Sequence, residues 1–362
     1  MENNYSIIMA GGVGSRFWPM SQTSHPKQFI DILGTGETFI QQTFRRLSKI
    51  CPAENIYIVT NEIYRKTVLE QLPKISNNQI LGEPSMRNTA PCIAYAVYKI
   101  KQENKNANIV VAPSDHIIMN EDEFVRVVSE SMDIVSKNNW LVTLGIKPSR
   151  PDTGYGYIQF NGKKPFENND DVRKVKTFTE KPVLEMAKQF LESGDFLWNA
   201  GIFIWNVNTI SDAFEKYLPD VNKLFVSGLG VYGTEKEAGF IKDTYAVCPN
   251  ISIDYGIMEK ADNVYVYVSD FGWSDLGTWG SLFETKEKNE DNNAITGKNV
   301  MTYNTRDCII NVPDKKLVVV EGLEGYIVAM KGSSLLICKK EDEQTIRNIV
   351  NDIKLEKGEE YV

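Results

Sequence analysis

Strand-like apolar runs alternate with helical patterns through the first half of this 362-residue chain. That alternation predicts an α/β domain built on a mixed, mostly parallel sheet. Past residue 289 the pattern changes to short β runs separated by turn residues, which predicts a small β-rich domain over residues 290–362 closed by one amphipathic helix.

In chain order, YSIIMA (Tyr5–Ala10) is a short apolar run that ends in glycines, and Phe39, Thr43, Phe44, Leu47 and Ile50 recur at helical spacing. NIYIVT (Asn55–Thr60) and NIVVA (Asn108–Ala112) read as strands. Ile93, Ala94, Val97 and Ile100 share one helical face, Phe124–Val135 reads as a helix and Trp140–Leu144 as a strand. The middle is richer in β: Tyr155–Phe160, Val172–Phe178, Gly201–Val207 and Val264–Val268, with helices at Val183–Leu191 and Ser211–Tyr217. After the polar NEDNN at Asn289–Asn293 come Val300–Tyr303, Cys308–Val312, Leu317–Glu321, Tyr326–Met330 and Leu335–Cys338. Ile346, Ile349, Val350 and Ile353 then mark the closing helix. No strict repeat is visible.

Composition narrows the classes. A 42% hydrophobic share with 24% charged residues is that of a globular chain. A net charge of −8 argues against nucleic-acid or anionic-membrane binding. No apolar run approaches the ~20 residues that span a bilayer, and Glu2 stands where a signal peptide needs basic residues. The five cysteines are scattered without a C-x-x-C pair, and there are two histidines, so neither a disulfide framework nor a zinc site is expected. A cytoplasmic location is expected.

The strongest chemical signal is Gly11-Gly12-Val13-Gly14-Ser15-Arg16 directly after the first strand, followed by Pro19, Ser21 and His25-Pro26-Lys27-Gln28. Glycines there let backbone N–H groups close around phosphate oxygens, and Arg16 and Lys27 supply charge. Residues 3–30 contain no Asp or Glu, so the segment is locally positive. The dinucleotide fingerprint fails at Phe17 and the P-loop pattern fails at Ser15-Arg16. A plain strand–turn–helix glycine turn is the simpler reading of the glycines alone, but not of the glycines with Arg16, Pro19 and Lys27.

This segment resembles the signature of the sugar-1-phosphate nucleotidyltransferases. Its Phe-Trp-Pro and His-Pro-Lys-Gln-Phe variants are similar to the branch that transfers guanylyl groups to mannose 1-phosphate. Seven further segments agree in order: Gly82-Glu83-Pro84 with Arg87 to Pro91, Pro113 to His116, Thr153 to Tyr157, Thr179 to Pro182, Trp198 to Gly201, Asp254 to Lys260 and Trp273 to Trp279. The match is close over residues 5–285 and loose beyond; Ser114 departs from a frequent Ala.

The resemblance implies a Rossmann-like nucleotide-diphospho-sugar transferase fold over residues 1–289, a β-helix-like tail, GTP and mannose 1-phosphate as substrates, Mg²⁺, and a homodimer. It places Gly11, Gly12, Gly14, Ser15, Glu83 and Asn88 on the nucleotide. Gly156, Glu180, Lys181 and Asn199 fall on the sugar phosphate, Asp115 and Asp275 on the metal, and Arg16 and Lys27 in catalysis. Each assignment has a plainer reading beside it. A lone Asp after a strand is usually a cap or turn, Asn88 also suits a helix cap, a buried Glu180–Lys181 pair also suits a structural salt bridge, and Arg87 faces either triphosphate or solvent. His116 reads as structural, and Trp198, Trp205, Trp273 and Trp279 as mostly core. The longer bifunctional members carry an isomerase domain, for which residues 290–362 leave no room. The competing readings are a transferase for another sugar phosphate or NTP, and a non-catalytic sugar-nucleotide sensor, which would be expected to lose Arg16, Lys27 or the Asp pair.

Overall fold

A computed structural model describes residues 2–162 and 169–362. The chain forms two compact units. The first holds the residues up to Gly11, Gln41–Ser114 and Ile118–Trp273; the second holds Gly12–Ile40, Asp115–Ile117 and Ser274–Val362.

The first unit is built on one nine-stranded sheet. Its strands are β1 (Asn4–Met9), β2 (Ile56–Asn61), β3 (Ile80–Glu83), β4 (Asn108–Pro113), β6 (Leu141–Ile146), β7 (Gly156–Phe160), β8 (Val172–Glu180), β9 (Phe196–Asn206) and β10 (Val264–Ser269). Two further strands, β5 (Ile117–Ile118) and β11 (Trp273–Ser274), are two residues each and lie outside that sheet. The spatial order is β3-β2-β1-β4-β9-β6-β10-β8-β7. The first four are parallel, with Ile7 opposite both Tyr57 and Val111. β9 then enters antiparallel to both β4 and β6, which makes the sheet mixed. These central strands read as continuous apolar runs because helices cover them. Among the helices are α1 (Phe39–Leu47), α2 (Arg65–Gln71), α3 (Thr89–Glu103), α4 (Glu121–Lys137), α5 (Leu184–Ser193), α6 (Val207–Tyr217), α7 (Pro219–Val226) and α8 (Glu237–Val247). α3 is buried on every face from Ala90 to Ile100, since α6 and α7 pack on it as well as the sheet. The expected strand at Gly201–Val207 begins earlier, at Phe196: it carries a bulge opposite Thr143 and Gly145 in which Gly201 adopts φ +65°, and that interrupts the apolar alternation.

The second unit contains the glycine loop and the β-rich tail. After α9 (Trp279–Thr285), β12 (Ala294–Thr296), β14 (Ile309–Asn311) and β16 (Tyr326–Lys331) stack in parallel, and β13 (Val300–Tyr303) pairs in parallel with β15 (Val318–Glu321). Successive coils advance 15 residues from Ala294 to Ile309 and 18 from Ile309 to Ile327, so no single period repeats in the sequence. β17 (Ser334–Lys339) turns back antiparallel on β16, and α10 (Ile346–Glu356) follows. One apolar cluster joins Phe17, Trp18, Ile32 and Phe39 to Trp279, Leu282, Ile309, Ile327, Ile346 and Val362.

Ile327 is fully buried in that cluster. Ile327→Ala should lower stability by about 2–5 kcal/mol through loss of apolar contact and the cavity left behind. Chemical denaturation of the whole chain, followed by circular dichroism, measures it.

Candidate active site

The glycine loop and its lysine lie in the second unit. Gly14, at φ +73°, caps a single turn, Ser15–Phe17, and a Cβ on it would come within 2.9 Å of Lys27 Cβ. Glycine is required there on both counts. Ser21 Oγ donates to the Val13 carbonyl, and Lys27 N–H donates to the same carbonyl at 3.4 Å. The Lys27 side chain is 3% exposed, and its Nζ lies over the Phe17 and Phe39 rings, 5.6 and 5.5 Å from their centroids. Nζ donates to Asp115 Oδ2 at 3.0 Å and to the Asp275 carbonyl at 2.9 Å. Three segments that are distant in sequence therefore meet on one ammonium. Burial pushes the Asp115 carboxyl up, but the Lys27 ammonium, helped by His116, outweighs it and holds the group below the ordinary carboxylate value. Asp275 Oδ1 accepts the Gly277 N–H at 2.9 Å, which fixes its loop. Among the described residues the Arg16 guanidinium has no ion-pair or hydrogen-bond partner.

The Asp115 carboxylate and the Asp275 carbonyl that meet on Lys27 are hard oxygen donors of the kind a Mg²⁺ ion uses when phosphates complete its shell. Among the described residues no cluster of three or more Asp, Glu, His or Cys is placed to hold a metal. The donors present thus fit an ion shared with substrate rather than a closed protein cage.

The first unit carries two polar sites. At the end of β3, Glu83 is 4% exposed, its Oε1 accepts the Tyr245 hydroxyl at 3.0 Å, and a Cβ on Gly11 would lie 3.5 Å from its Oε2. Burial raises the Glu83 carboxyl from its ordinary 4.5 to about 7, against the Tyr245 bond, which lowers it. Asn88 (φ +69°) caps α3, its Oδ1 accepting the Thr89 N–H at 2.9 Å. Arg87 does not face open solvent: its Nε donates to the Tyr245 carbonyl at 3.0 Å and Nη2 to the Ala246 carbonyl at 3.4 Å, at the C-terminal end of α8.

The second site gathers Gly156, Glu180, Asn199 and Asp254. A Cβ on Gly156 would sit 2.5 Å from Glu180 Oε2 and 3.5 Å from Asn199 Cβ. Asn199, on the β9 bulge, donates to Asp254 Oδ1 at 2.7 Å and accepts from the Gly201 N–H at 3.1 Å. The sequence assigns Asp254 no role, although its Asp-Tyr-Gly-Ile-Met-Glu-Lys segment is among the matching ones. Burial pushes Asp254 up to about 6, with the Asn199 bond opposing and Glu180 adding to the rise. The Glu180–Lys181 pair forms, at 2.6 Å, but it is not buried: the Lys181 side chain is 57% exposed on a residue with φ +48°. The aromatic Tyr155 lies 5.0 Å from Trp198 and 5.2 Å from Trp273, under the Arg150 guanidinium. Trp205 and Trp279 are fully buried core. A further cavity of about 650 Å³, with Arg65, Lys99 and Glu237 in its wall, contains none of the expected site residues.

Residues 5–292 match the Nucleotidyl transferase family model, and residues 298–353 match the MannoseP isomerase/GMP-like beta-helix domain. The mannose-1-phosphate guanylyltransferases of Salmonella montevideo and Klebsiella pneumoniae are 35% and 36% identical, each over 98% of this chain and 75% of the relative. A solved structure described as a mannose-1-phosphate geranyltransferase from Thermus thermophilus superposes with a TM-score of 0.87 at 27% identity, covering 97% of this chain and 99% of that one.

Between about pH 4.5 and 7 the native Glu83 carboxyl keeps a proton that the unfolded chain has released. Stability should therefore fall as pH rises through that window. Glu83→Gln is expected to flatten the fall, measured as urea midpoints across it.

Proposed function

We propose, for a chain that belongs to the nucleotidyl transferase family, that it catalyses mannose 1-phosphate + GTP → GDP-mannose + diphosphate. The observation that carries the reading is the buried Lys27 ammonium held on Asp115 and Asp275 beside the Gly14 loop. Matched relatives bear the name of this activity.

A phosphate oxygen of the sugar attacks the α-phosphorus in line, forming the new P–O bond as the bond to the β-phosphate oxygen breaks and diphosphate leaves. With a second pKa of about 6 the sugar phosphate is already mostly dianionic at neutral pH, so no strong general base is needed. The protein's work is to position and to neutralise charge. Gly11, Gly12, Gly14 and Ser15 offer backbone donors to the triphosphate, and Arg16, which lacks an internal partner among the described residues, offers charge to the leaving diphosphate. Lys27 serves the α-phosphate. Mg²⁺ bound by Asp115 and Asp275 would withdraw charge from the phosphate oxygens.

Glu83 suits guanine, whose N1–H and N2–H₂ donors match a carboxylate; Asn88 shapes that loop by capping α3. Glu180 and Asp254 face the sugar hydroxyls, with Asn199 holding Asp254, Gly156 leaving room, and Lys181 on the sugar phosphate. The same proposal carries the division at residue 290, a homodimer and a cytoplasmic setting. Among the described residues no helix is long and apolar enough to cross a membrane.

Release of diphosphate measured across four NTPs and several hexose 1-phosphates tests the reaction. GTP with mannose 1-phosphate should give the highest kcat/KM; a higher value for another pair would overturn the substrates. Lys27→Ala and Asp115→Ala, checked for folding by circular dichroism, should each lose at least ~100-fold in kcat, and near wild-type turnover would remove those roles. Asp254→Asn should raise KM for the sugar phosphate several-fold and leave KM for GTP unchanged.

A further inference from the structure

We infer that the Lys27 ammonium is a placeholder for the divalent cation. It sits 3.0 Å from Asp115 Oδ2 and 2.9 Å from the Asp275 carbonyl oxygen, and ammonium and ion exclude each other there. The inference rests on the assignment of Asp115 and Asp275 to the metal.

The partners of Lys27 are themselves a cation's ligands. A carboxylate oxygen and a carbonyl oxygen are the hard donors that Mg²⁺ and similar ions take. The side chain is 3% exposed and its Nζ lies over the Phe17 and Phe39 rings, so the ammonium is placed by packing and not by the search of a mobile side chain. Asp115, by contrast, is 34% exposed, so its carboxylate can be approached from solvent while Lys27 holds it from within. A doubly charged ion on that carboxylate would lie a few ångströms from a buried single charge, and like charges at that range repel strongly in a protein interior. Without nucleotide, Lys27 neutralises Asp115. When the ion arrives with the triphosphate, the ammonium loses its carboxylate partner and turns to phosphate oxygen, the acceptor brought in at the same moment. The exchange keeps the site from being left either with an unpaired buried ammonium or with two adjacent cations.

Binding of Mn²⁺ to the full-length chain without nucleotide, followed by electron paramagnetic resonance, tests this. Lys27→Met, whose apolar side chain fills the buried space, and Lys27→Gln, which keeps a donor without the charge, should bind Mn²⁺ about tenfold or more tightly than wild type. Asp115→Asn should bind about tenfold more weakly. In the wild-type chain, the ¹⁵N-lysine ammonium resonance that is missing from Lys27→Met should shift as Mg²⁺ saturates. If Asp115→Asn weakens binding but neither Lys27 variant strengthens it, or if the Lys27 resonance is unmoved at saturating Mg²⁺, the exchange is overturned while the metal assignment survives. If Asp115→Asn binds as wild type does, the metal assignment falls and the exchange with it. Should Lys27→Met fail to fold, Lys27→Gln takes its place both for Mn²⁺ binding and for assigning the resonance.

Discussion

A buried ammonium is costly unless it is paired and hydrogen-bonded, and the second unit is arranged around that demand at Lys27. Gly14 gives up its side chain and takes a left-handed backbone so that the loop can close on the lysine stem. Phe17 and Phe39 present their rings to the ammonium, and Asp115 and the Asp275 carbonyl receive the charge. Each is needed because of the others. Removing the Asp115 carboxylate leaves an uncompensated buried charge, and a side chain at residue 14 would displace the lysine. The glycines that read as a phosphate loop are thus, at Gly14, also a packing requirement of the buried lysine.

The first unit also holds carboxyls without a cation. Glu83 and Asp254 are partnered by a hydroxyl and an amide, and burial raises both. Carboxyls of that kind complement neutral N–H and O–H donors.

Much of this was legible in the sequence, for identifiable reasons. The strands at Tyr5–Ala10, Asn55–Thr60 and Asn108–Ala112 are readable because parallel, covered strands are continuous apolar runs with helices between them, whereas the four-residue β3 is too short to show as one. The coils of the tail were visible as runs but not as a repeat, since one advances 15 residues and the next 18. β9 was read short because its bulge breaks the alternation at Asn199–Gly201, the place where the strand turns a side chain toward Asp254. α3 hides its surroundings, since a helix apolar on every face does not say which neighbours cover it; α2, α7, α8 and α9 are not among the helices the sequence pattern predicts. Among site residues, those with a charge and a motif were found. Asp254 escapes the sequence reading because what sets it apart is its bond to Asn199 and its raised carboxyl, neither of which spacing encodes. Arg87 could not be placed from sequence because its partners are backbone carbonyls at Tyr245 and Ala246, which leave no mark in residue type.

The tail has a consequence for where kinetic lesions arise. Trp18 Nε1 donates to the Tyr361 carbonyl at 2.7 Å, Lys331 Nζ to the Met20 carbonyl at 2.6 Å, and Trp279 Nε1 to the Trp18 carbonyl at 3.3 Å. The glycine loop is therefore fastened to residues more than 250 positions downstream, and it shares their apolar cluster. Distance along the chain is therefore no guide to which residues support the segment after Gly14: Tyr361 and Lys331 touch it as directly as its sequence neighbours do, and the tail serves as its anvil.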